Sequence, residues 1–134
     1  MTIGQSLLPE FDQEMASTRR LLERVPSDKG QWRPHAKSFP LAHLAQLVSV
    51  MPGWLTRTIR GTEIDLSKSA GYSVEKTETL ISQFDQLVSE ARDALAEAQD
   101  EDFDVTWSLK NGPHVLFSAP RATVVRSHIN HLIH

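Results

Sequence analysis

The 134-residue chain is long enough for one domain with its own core, and its apolar (40%) and charged (23%) fractions are ordinary for a globular protein. A net charge of −3 argues against nucleic acid as a partner, because phosphate binding needs clustered excess positive charge. Cysteine is absent, which excludes a disulfide framework and thiol chemistry from the chain's own side chains.

No apolar run approaches the roughly 20 residues that span a bilayer. The N-terminus lacks the basic and apolar regions of a signal peptide. A soluble cytoplasmic chain with no membrane partner is expected.

The first predicted helix runs from about Leu7 to Val25. Leu8, Phe11, Met15, Leu22 and Val25 recur at helical steps, with Glu10, Asp12, Arg19, Arg20 and Glu23 on a solvated face. Pro26 ends it, since proline cannot donate to the helix ladder and restricts the residue before it. The stretch 26–38 holds two prolines and a glycine and reads as a loop. Trp32 is expected to plug this loop onto the core, and His35 to be a surface or packing histidine.

Ser38 is the expected cap of a second helix, with Pro40 in the first turn, where a missing N–H costs little. Leu41, Leu44, Ala45, Val48, Leu55 and Ile59 form one apolar stripe on it. His43, Leu47, Val50 and Trp54 form another, so this is the helix expected to be most buried. Pro52-Gly53 predicts a kink or a division.

Residues 61–73 read as a polar connection in which Glu63, Asp65 and Tyr72 stand near the end of the helices. A third helix, capped by Ser73, is predicted from Val74 to Ala98. Its inward residues are Leu80, Ile81, Phe84, Leu87, Val88, Ala91 and Leu95, and its alanine-rich later turns allow close helix approach. Beyond it, Phe103, Val105, Trp107 and Leu109 alternate with polar residues before the turn pair Asn111-Gly112. This predicts a short hairpin over Phe103–Phe117, weakened by Pro113, with His114 exposed.

Ser118 and Pro120 open a predicted fourth helix, in which Val124, Val125, Ile129, Leu132 and Ile133 surround three histidines. This helix carries no stop signal, so the natural chain is expected to continue past His134. His128, His131 and His134 stand three residues apart, a step of about 300°, so consecutive members share overlapping faces one turn apart. Neutral imidazole is the commonest protein ligand for zinc, nickel and iron. No Gly-rich phosphate loop, nucleophile elbow or carboxylate pair accompanies them.

Three segments carry a family resemblance: Trp32-Arg-Pro-His-Ala-Lys-Ser38, Pro52-Gly-Trp54 and Asn130-His-Leu-Ile-His134. Together with four predicted helices, they resemble the DinB-like superfamily over nearly the whole chain. The resemblance implies an all-α four-helix bundle, commonly a homodimer, with a divalent metal held by one histidine of the second helix and two of the fourth. Its characterised members include thiol-S-transferases that use low-molecular-weight thiols.

Two departures bear on that site. The second-helix ligand position of the family is Leu47 here. His43 lies one turn earlier, about 5.4 Å along the axis, against a metal–nitrogen bond near 2.1 Å, so it fits only a shifted site. The second fourth-helix ligand would fall just past His134, which leaves His131 as the residue that matches a family ligand. The candidate metal ligands are therefore His131, His43 and His128. His134 points about 100° away from the expected position.

Two readings follow. One is a divalent-metal-dependent thiol-S-transferase or hydrolase, in which an open metal position takes water or a small thiol substrate. The other, favoured by Leu47, is a metal-free bundle acting as a binding or stress-associated interaction protein, again as a homodimer.

Overall fold

A computed structural model describes residues 1–134. Thr2 opens α1 (Ile3–Glu23) with a capping box: its hydroxyl accepts from the Gln5 N–H, and the Gln5 side chain accepts from the Thr2 N–H. The cap sits before the apolar period begins, so the helix starts earlier than hydrophobic spacing alone indicates. Phe11, Met15 and Leu22 are buried on its inner face, as their spacing requires.

α2 (Leu41–Arg60) has Pro40 at its N-cap and no side-chain cap from Ser38. It runs as one helix through Pro52-Gly53 instead of dividing there. Pro52 is buried, and a Cβ on Gly53 would stand 3.3 Å from Leu87 Cδ2 of the next helix. The Pro-Gly pair therefore marks a close helix crossing.

α3 (Thr77–Glu97) begins later than expected. Its entry is tied to the loop after α1: the Thr77 N–H donates to Ser27 Oγ at 3.0 Å, and the Thr77 hydroxyl donates to the Val25 carbonyl at 2.7 Å. Ser73 instead exchanges hydrogen bonds with Gln46 of α2. The alanine-rich end of α3 does admit close approach, since a Cβ on Gly4 of α1 would collide with the Leu95 carbonyl oxygen.

Two bidentate pairs, Arg19–Asp85 and Arg92–Asp12, link the exposed edges of α1 and α3. Both pairs are exposed and screened by water, so they add little. The packed interior does more. Phe11, Met15, Leu55, Phe84, Leu95 and Val125 belong to one core shared by these helices and α4 (Arg121–Ile133).

The all-α expectation is overturned. Three strands, β1 (Glu63–Asp65), β2 (Thr106–Asn111) and β3 (His114–Pro120), form a mixed sheet in the order β1-β2-β3, and the fold is α+β. β2 and β3 pair antiparallel around Gly112, whose φ of +61° suits glycine. This is the expected hairpin, extended to Pro120, so Ser118 lies in a strand and does not cap the fourth helix. β1 pairs parallel with β2, setting Ile64 beside Leu109. Three residues are too few for strand alternation to show, and the partner strand lies far along the sequence.

Side-chain alternation gives the sheet two unlike faces. Ile64, Trp107 and Leu109 face Val124 of α4 and Trp54 of α2, forming a second, smaller core. On the other face the hydroxyls of Ser108 and Ser118 bond across the strands at 2.8 Å.

Arg121 ties these parts together from the first turn of α4. Its buried guanidinium donates to the Asp102 carbonyl at 2.5 Å and to the Gly61 carbonyl, at the end of α2, at 2.7 Å. Trp32, expected to plug the loop, is 59% exposed. His35 and His114 are both exposed, as expected. No helix is long and apolar enough to cross a membrane.

Candidate functional site

The second apolar stripe of α2 does not enter the main core. His43, Leu47, Val50, Trp54 and Arg57 follow one another at helical steps and line two adjoining clefts. One cleft, of about 710 Å³, lies between α2, α4 and the apolar face of the sheet; Trp54, Ile64, Trp107, Leu109, Phe117 and His128 are among the residues that line it. The other, of about 460 Å³, lies between α2, α3 and the connection around residues 69–73. Trp54, Arg57 and Ser69 border both.

The cross-strand register builds the sheet wall. Ile64 pairs with Leu109, and Leu109 with Phe117, so one row of apolar side chains crosses all three strands. A register shift follows at Leu109/Lys110. Glu63 and Asp65 flank Ile64 and therefore project to the opposite face.

His128 lines the first cleft. Its ring meets Trp54 and Trp107 edge-on, with centroids 6.0 and 6.1 Å away, and its Nε2 lies 2.9 Å from the Thr58 hydroxyl. Burial pushes its pKa down to about 4, and the neighbouring His131 adds a smaller effect in the same direction. The ring is therefore neutral at pH 7. In one tautomer it accepts the Thr58 proton, and in the other it donates to the Thr58 oxygen.

The fit of these residues to a three-histidine metal can be tested directly. His128, His131 and His134 all border the first cleft, yet no group of three or more His, Asp or Glu side chains is placed to hold an ion. The Nε2 of His128 is committed to Thr58. His131 and His134 are exposed. His43 lies elsewhere: the helical rise from it to Thr58 is roughly 22 Å.

There the His43 ring packs against Phe39 and Tyr72, with centroids 4.3 and 4.4 Å apart. Leu47 and His131 border a common groove between α1, α2 and α4. A hydrocarbon thus stands at the position where the resemblance calls for a ligand from the second helix. The donor set of residues 1–134 does not fit the metal.

The acids singled out in the connection are committed elsewhere. Glu63 pairs with Lys110 at 3.1 Å. Asp65 accepts from the Ser67 hydroxyl and from the N–H groups of Gly112 and Ser67. These bonds hold its carboxyl down at about 2, the Ser67 hydroxyl having the largest effect. Neither acid lines a cleft.

Several residues of the site, among them Arg57, Trp107 and Phe117, carry no site signal in the sequence analysis. Arg57 was visible in principle, because the step through positions 43, 47, 50 and 54 arrives at 57. Trp107 and Phe117 were placed in a hairpin, but nothing in that pattern says which helices the hairpin covers. Comparison with protein-family models, with curated proteins and with solved structures finds no match. The site is therefore read from its own geometry.

Proposed function

We propose that this chain is a DinB-like protein of the metal-free kind, and that it binds a small, largely apolar molecule in the cleft between α2, α4 and the sheet. One observation carries the reading: a cavity of about 710 Å³ lined by Trp54, Trp107 and Phe117, with a neutral imidazole in its wall. Ligand sites typically have this size, with apolar walls and a few fixed polar groups. The α2 stripe supports it, since a helix apolar on two sides needs a second partner beyond its core.

Tryptophan emission tests the proposal, because Trp54 and Trp107 line the cleft whereas Trp32 lies outside it. In a Trp32→Phe background, saturable quenching by small aromatic compounds is expected, weakened about tenfold or more in Trp54→Ala. An absence of saturable binding across a broad set of such compounds would overturn the reading. Metal content after incubation with zinc and desalting is expected to fall well below one equivalent. Retention near one equivalent, lost in His131→Ala, would restore the metal-dependent transferase or hydrolase.

A further inference from the structure

The charges around the two clefts are one-sided. The chain holds 17 acidic and 14 basic residues, yet neither cleft is lined by a single aspartate or glutamate. Arg57 borders both clefts and is exposed. Arg19, Arg60 and Arg92 are each held by a carboxylate. Arg57 enters no ion pair of the chain, so its guanidinium donors are free for an external acceptor.

The carboxylates nearest in sequence to the sheet wall are turned away from it by strand alternation. They are then fixed there, Glu63 by Lys110 and Asp65 by three hydrogen bonds. Resting on the ligand-binding reading above, we propose that the ligand is an aromatic carboxylate, its flat body lying between Trp54 and Phe117 and its carboxylate on Arg57. The guanidinium fork matches a carboxylate in two parallel hydrogen bonds. The position of Arg57 between the clefts also gives the anionic end an exit toward the smaller, more polar cleft lined by Gln46, Tyr72, Ser73 and Gln83.

Calorimetric titration of the full chain with three isosteric probes tests this: 2-naphthoate, 2-naphthalenemethanol and 2-naphthylmethylammonium, at one ionic strength. The naphthoate should bind about tenfold more tightly than the alcohol, and the ammonium most weakly. Arg57→Gln should remove the roughly tenfold preference for the naphthoate over the alcohol. Equal binding of the three probes, or a naphthoate preference that survives Arg57→Gln, would overturn the anion assignment and leave the binding cleft standing. Failure of all three to bind, with no change in cleft tryptophan emission, would remove the cleft reading and this inference with it.

Discussion

α2 carries two apolar faces that look alike in sequence and behave differently in the fold. One face, with Ala45, Leu55 and Ile59, is sealed in the main core against α1 and α3. The other, with Leu47, Val50 and Trp54, borders open clefts. The difference comes from what lies opposite. Long helices with matching stripes close over the first face, while a short sheet and an irregular connection stand off from the second. Apolar periodicity therefore reports that a face wants cover and does not distinguish a packed core from a ligand-sized gap.

Substitutions on the two faces should separate accordingly. Leu55→Ala, at a side chain only 2% exposed, is expected to lower the unfolding free energy by about 2–5 kcal/mol in chemical denaturation. A loss below about 1 kcal/mol would mean that this face is no better packed than the other.

His128 gives the cleft side a pH signature. Its folded-state pKa is pushed down to about 4, against 6.5 for the unfolded chain, so the unfolded state binds more protons between those values. Stability from this group is whole above pH 6.5 and declines as pH falls toward 4, by up to roughly 3 kcal/mol. Thermal melts of wild type and His128→Gln across pH 7.5–4 (the range is set by those two pKa values) should show wild type losing stability more steeply than the variant as pH falls, because only wild type has this ring to protonate. Parallel curves would show that the ring is protonated without penalty.

Arg121, which joins the end of α2 to the start of α4, should respond less. Arg121→Met removes charge-assisted hydrogen bonds to the Asp102 and Gly61 carbonyls but fills much of the same space, and a loss of about 2 kcal/mol in urea denaturation is expected. At the small end, Arg57→Gln should change stability by no more than about 0.5 kcal/mol, since the side chain is exposed and enters no ion pair. The same substitution is the one expected to abolish preference for an anion. A residue that matters for binding and not for folding belongs to the cleft face.

Much of the helical frame was readable in advance, because Phe11, Met15, Leu22, Leu80, Phe84 and Leu95 repeat at steps that only a helix buries together. The caps were read less well. Ser38, Ser73 and Ser118 all have the right chemistry, but α2, α3 and α4 begin after Pro40, Lys76 and Pro120 with no side-chain cap. Local hydrogen bonding is one offer among several, and Ser73 found Gln46 while Ser118 found Ser108. The histidines illustrate the same limit. Their one-turn spacing on α4 is real, yet a metal site needs donors from other helices at matching depth. His43 is stacked on aromatic rings too far along α2, and His128 is bonded to Thr58.

By itself, then, the sequence determined the four helices, the inward faces of α1 and α3 and the hairpin after the third. These follow from periodicities and turn residues that act over a few neighbours. Only the tertiary structure decided that Glu63-Ile64-Asp65 would be a strand, that the sheet would stand off from α2 far enough to leave a cleft, and that Arg57 would stay unpaired beside it. Each of those depends on which distant segments meet, and pairing between remote stretches leaves no period in either one.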